Sequence, residues 1–125
     1  MKTVFTQNAP VPAGHYSQAV AHNGMVYISG QLAVDPETGE KKLETIEEQT
    51  EQVLKNVAAI LKAAGSSLDK VLKTTVYIAD IELWGRVNEI YAAFFGEHKP
   101  ARAVVPTKNL HFGFLIEMEA VAWVD

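Results

Sequence analysis

Cysteine is missing altogether from the 125 residues. Its absence excludes a disulfide framework, thiol nucleophiles and cysteine-ligated metal, and it fits a reducing compartment. Long apolar runs are missing too. No stretch approaches the roughly 20 residues that a membrane-spanning helix requires. The first residues, Met1-Lys2-Thr3-Val4-Phe5-Thr6-Gln7-Asn8, lack the apolar segment of a signal peptide. A soluble, cytoplasmic protein without a membrane partner is therefore expected. Positive charge is in short supply: 11 Lys and Arg stand against 15 Asp and Glu, for a net charge of −4. No basic stripe forms, so a nucleic-acid partner is not expected. The pair Lys41-Lys42 reads as a solvated turn.

Cofactor motifs are lacking as well. His15, His22, His98 and His111 make no i,i+4 pair and no HExxH spacing, and each reads as an exposed loop residue. Gly24, Gly30 and Gly39 open no helix, so there is no phosphate-cradling loop. No GxSxG elbow occurs, and Ser29-Gly30 has no sequence-local base. Neither a metal nor a cofactor is expected.

What is present fits one domain over residues 1–125, large enough for a real core. Lys2–Gln7 reads as a short strand and Asn8–Gly14 as a loop. Tyr16–Ala21 and Met25–Ser29 are apolar-rich runs joined by His22-Asn23-Gly24, a strong hairpin signal because Asn and Gly accept positive φ. Gly30-Gln31 interrupts the strand, as at a bulge or a close approach by a ligand. Leu32–Val34 continues it, and Asp35–Gly39 is a turn.

Thr45–Ala64 reads as a helix, with Thr45 and Glu48 in a capping-box pattern. Ile46, Val53, Val57, Ile60, Leu61 and Ala64 form its apolar stripe, and Gly65 ends it. Leu68–Val71 leads into a β-branched strand, Leu72–Ala79. Asp80 is an N-cap for a second helix, Ile81–Phe95. Ala101–Val105 and Phe114–Val124 are the last strands, with Pro106 closing the first of them. The order β-β-β-α-β-α-β-β predicts an α+β fold with two helices on one face of a mixed sheet. The other face stays uncovered although its strands are partly apolar, which points to a homo-oligomer with sites between subunits.

One residue stands out for chemistry. Arg102 lies among small and branched apolar residues in a predicted strand, and such a charge is costly unless paired or used. Glu117, in the strand Leu115-Ile116-Glu117-Met118-Glu119, is its first candidate neighbour. One reading has Arg102 snorkelling from an edge while both glutamates face water. The other makes Arg102 a bidentate carboxylate clamp and Glu117 a group that places water and moves protons.

The ordered set Pro100-Ala101-Arg102, a spacer ending at Leu110, and Ile116-Glu117-Met118-Glu119-Ala120 resembles the signature of the reactive intermediate deaminase (Rid, or YjgF) family. Gly14-His15-Tyr16-Ser17-Gln18-Ala19 is similar to that family's Gly-Pro-Tyr-Ser-Gln motif. Ser29-Gly30-Gln31, Lys73-Thr74-Thr75-Val76 and Val87-Asn88 match as well, so the resemblance covers essentially the whole chain.

The resemblance implies a chorismate-mutase-like (Bacillus type) fold and a homotrimer with a central β-barrel and one pocket in each inter-subunit cleft. It implies that Arg102 clamps the carboxylate of a 2-imino or 2-enamino acid, that Glu117 orients water and that Tyr16 closes over the ligand. Ser29, Gly30, Trp84 and Val104 would line the site. The implied reaction hydrolyses 2-iminobutanoate or 2-iminopropanoate to 2-oxo acids and ammonia. The alternatives are a non-catalytic 2-oxo-acid-binding regulator and, from a name long attached to the family, a ribonuclease. Three departures stand at the site: His15 for proline before Tyr16, His111 for proline after Leu110, and Val104 where cysteine is common.

Overall fold

The computed structural model describes residues 1–125. Six strands form a single sheet: β1 (Lys2–Val4), β2 (Ala19–His22), β3 (Met25–Gln31), β4 (Val71–Ile78), β5 (Ala101–Pro106) and β6 (Ile116–Trp123). Their order across the sheet is β1-β2-β3-β6-β4-β5. Only β4 and β5 pair in parallel, and the connection between them carries a helix, the kind of crossover a parallel pair requires. The other neighbours are antiparallel, so the sheet is mixed and the α+β expectation holds. The helices are α1 (Ile46–Ala63) and α2 (Trp84–Phe95).

Local chemistry sets these elements. Asn23 and Gly24 both take positive φ, 51° and 75°, and close the β2–β3 hairpin. Thr45 caps α1 by accepting from the Glu48 N–H at 3.1 Å. Asp80 accepts from the Glu82 N–H at 2.9 Å, but that cap serves a short 3₁₀ turn, Ile81–Leu83, and α2 begins only at Trp84. The strand expected from Tyr16 starts instead at Ala19; the Gln18 side chain bonds the preceding loop, and the Ser17 carbonyl accepts from the Ser29 hydroxyl rather than from a backbone N–H. The last strand begins two residues later than expected. Leu115 gives its N–H to the buried Gln49 side chain of α1 rather than to the sheet.

Both helices cover one face. Val26, Ile28, Val76, Ile78, Met118, Ala120 and Ala122 point towards them and are buried with Val53, Val57, Ile60 and Leu61 of α1. Each of these residues is separated by one from residues on the opposite face. That opposite face carries Tyr27, Lys73, Thr75, Tyr77, Glu117, Glu119, Val121, Ala103 and Val105, and no helix packs on it. Tyr77 donates to the Glu119 carboxylate there. No helix is long and apolar enough to cross a membrane.

Candidate functional site

Arg102 sits on β5, the edge strand. It pairs in register with the buried Thr74 of β4 and so faces the helices. Its guanidinium lies 4.8 Å from the ring centre of Trp84 and 4.7 Å from that of Tyr91, both on α2. Its Nη1 donates to Asn88 Oδ1 at 2.9 Å. Beneath it, Tyr91 shares a 2.7 Å hydroxyl bond with Thr74. Burial pushes the Tyr91 hydroxyl up, which keeps it neutral, while Thr74 and the Arg102 charge oppose that shift. The guanidinium is thus stacked and held at one corner, exposed, with no acidic side chain in contact. It borders a hollow of about 390 Å³ that also touches Asn88, Tyr91, His98 and Lys99.

Glu117, the first candidate neighbour from the sequence, does not meet Arg102 within one chain. Glu117 pairs with Tyr77, on the open face, whereas Arg102 faces the helices. In register, Arg102 shares a row with Thr74 and Ala120, three positions along β6 from Glu117. Two strand spacings and three rises put their Cα atoms roughly 14 Å apart, on opposite sides of the sheet. Within one chain the two groups cannot meet.

Glu117 belongs to a second cluster. The register between β3 and β6 slips between Ile28 and Gln31, which marks a bulge at Ser29-Gly30. A Cβ on Gly30 would collide with the Glu117 carboxylate and lie 3.0 Å from its Cδ. Glycine at 30 therefore makes room for Glu117. Partial burial pushes the Glu117 carboxyl above the ordinary range. His111 pulls it back down and Glu119 adds to the rise.

A hollow of about 170 Å³ lies beside this point, with Tyr16, Gly30, Gln31, Lys41 and Phe112 among its walls. Two buried side chains shape those walls. Gln18 accepts from Thr6 N–H at 2.7 Å and donates to Thr6, Ala9 and Pro10 carbonyls, which fixes the loop beside Tyr16. Asn56 of α1 donates to the Leu32 and Val34 carbonyls at 3.1 and 3.0 Å.

The other expected residues divide between these clusters. Trp84 and Val104 lie on the Arg102 side. Tyr16, Gly30 and Ser29 lie on the Glu117 side. Ser29 Oγ donates to the Ser17 carbonyl at 2.6 Å, so its proton is committed to holding the Tyr16 loop. The Tyr16 hydroxyl accepts from Ala13 N–H at 3.3 Å. Sequence reasoning missed Asn88 as the partner of Arg102, although Val87-Asn88 was among the matching segments. It also missed Phe112, and Lys41, which read only as part of a solvated turn. No group of three or more His, Asp or Glu side chains gathers as a metal site would require. Chemically, one half offers a stacked cation for an anion, and the other offers a half-buried carboxylate beside a bulged backbone.

Comparison with known proteins places the chain in one family. The sequence model described as Endoribonuclease L-PSP matches residues 6–124. A RutC family protein of Pyrococcus horikoshii is 48% identical over 99% of this chain and 98% of its own length. The 2-iminobutanoate/2-iminopropanoate deaminase of Rattus norvegicus is 45% identical over 97% of this chain and 88% of its own length. The crystal structure of E. coli TdcF with bound serine superposes with a TM-score of 0.95 at 38% identity, covering 100% of both chains. The protein belongs to the endoribonuclease L-PSP family, the family of the Rid and YjgF proteins.

Proposed function

We propose that this protein hydrolyses reactive 2-imino acids, with 2-iminobutanoate and 2-iminopropanoate as substrates, to 2-oxo acids and ammonia. The observation that carries the reading is the separation of Arg102 from Glu117 on opposite faces of one sheet. Arg102 is stacked and free of acidic contacts and Glu117 is half-buried beside Gly30, which supports a working role for each. They make a site only if Arg102 of one chain meets Glu117 of another. The helix-free sheet face, with Tyr27 and Val105 exposed on it, supplies a surface for that contact. A homotrimer with three shared clefts is the assembly we infer. Two relatives support the chemistry: the rat deaminase by its name, and TdcF by the amino acid bound to it.

In the proposed mechanism the Arg102 fork takes the substrate carboxylate and fixes C2. Glu117 orients water and accepts a proton as oxygen adds to C2. The C–N bond of the resulting carbinolamine then breaks, ammonia leaves with the returned proton, and C2 becomes a carbonyl. Tyr16 closes the cleft, and Trp84, Val104, Ser29 and Gly30 shape it. No step calls for a cofactor. Such imines hydrolyse unaided, so orientation and modest acid–base help suffice.

The test couples a threonine dehydratase to semicarbazide trapping of the released imine. Wild type should outcompete trapping, and Arg102→Ala should lower kcat/KM by about 100-fold, the loss of a charge-assisted bidentate contact. If wild type leaves trapping unchanged yet binds 2-oxobutanoate, the protein is a 2-oxo-acid sensor instead.

A further inference from the structure

The hollow that holds Tyr16, Gly30 and Phe112 contains a cation that the proposed reaction does not use. Lys41 lines it, and its backbone bridges to Val34, which lines it too. Bonds from Lys42 N–H to the Ala33 carbonyl and from Asp35 N–H to the Glu40 carbonyl, both 2.8 Å, pin this short extended pair. Successive side chains along such a pair point opposite ways. Lys42 accordingly turns to Glu48, at 3.9 Å, while Lys41 turns to the hollow. The Lys41 ammonium sits 4.8 Å over the Phe112 ring and makes none of the molecule's four ion pairs.

Phe112 is itself held at some cost. Its φ of 59° lies in the left-handed region, it is followed by Gly113 at 79°, and the residue is 58% exposed. A left-handed, outward-facing phenylalanine is unfavourable for the backbone by about 1–2 kcal/mol. Strain of this kind concentrates at functional sites. Here it turns the ring under a lysine.

This inference rests on the deaminase reading above. With the substrate carboxylate on Arg102 and C2 beside Glu117, the group left to face Lys41 is the substrate's side chain. We propose that Lys41 is a specificity-determining residue, selecting 2-imino acids whose side chain ends in a second carboxylate. Apolar walls at Val11, Leu32 and Val34 suit the intervening methylenes, and the ammonium suits the end. The distal carboxylate takes no part in the bond changes: water still adds at C2, and ammonia still leaves from it.

Calorimetry with 2-oxoglutarate and 2-oxopentanoate, equal in chain length, reads the selection directly. Wild type should bind 2-oxoglutarate roughly tenfold more tightly, the increment of one charge-assisted contact. Lys41→Met should bring the ratio of the two dissociation constants near one. Lys41→Arg should keep a ratio well above one, and Lys42→Met should leave it as in wild type. Equal binding by wild type, or a ratio that survives in Lys41→Met, overturns the assignment. Turnover separates its failure from that of the parent reading. If 2-iminobutanoate is hydrolysed while no preference appears, only the role of Lys41 falls. If no imine is hydrolysed and neither 2-oxo acid binds, both fall.

Discussion

Gly30 shows how a single missing atom places a functional group. The bulge at Ser29-Gly30 opens β3 where the Glu117 carboxylate passes, and any side chain at 30 would occupy that space. Gly30→Ala should cost about 1–3 kcal/mol, the usual scale of overpacking, and should lower kcat/KM at least tenfold by displacing Glu117. Parallel urea unfolding and kinetics would register both. Glu117 itself carries a pH signature. Its carboxyl is raised by burial, so the penalty for holding it falls on the ionised form. That penalty is present above its folded pKa and vanishes below the unfolded value. Glu117→Gln should therefore melt at a higher temperature than wild type at pH 7 and at the same temperature at pH 4. Activity that needs the ionised form should decline on the acid side at a higher pH than an ordinary glutamate would dictate. None of this could be read from the residues alone. Alternation along a strand tells which neighbours share a face with Glu117. It cannot relate that face to the one Arg102 occupies until the register across β4 is known.

The helices were the most legible elements, because capping and a 3.6-residue apolar period are local signals. The polar positions of α1 were not. Gln49, Thr50 and Asn56 are buried, and Gln49 and Asn56 bond backbone groups far along the chain, Asn56 also accepting from Gln52 within α1. A stripe drawn from hydrophobicity passes them by, since their partners are backbone groups with no sequence signature. The contact between α1 and α2 is likewise tertiary. Arg86 grips Glu47 through Nε at 2.6 Å and Nη2 at 2.7 Å. That bond holds the Glu47 carboxyl at about 2, below the ordinary 4.5. The sign follows: the tie is complete above pH 4.5 and is lost as pH falls towards about 2. Arg86→Ala should therefore narrow the drop in melting temperature across that window, and leave a small difference at neutral pH because the pair is exposed. Melting curves at pH 2, 3, 4 and 7 would show it.

For the whole molecule, the fold was foreseen down to the bare sheet face, yet the arrangement of the site was not. The sequence made Glu117 the first candidate neighbour of Arg102 and put sites between subunits; within one chain the sheet stands between the two groups. An inactive Arg102→Ala protein and an inactive Glu117→Gln protein then become complementary. Mixed and reassembled in equal amounts, they should recover roughly a quarter of wild-type activity, because only a cleft drawing its intact arginine and intact glutamate from different variants works. A site built within one chain would recover none. Sedimentation at falling concentrations, run beside the kinetics, would show whether specific activity tracks assembly. If it does, the unit of function is the seam and not the polypeptide, and dilution acts as an off switch. A cell could then set imine clearance by how much of this chain it makes, with output rising faster than dose until the seams are full.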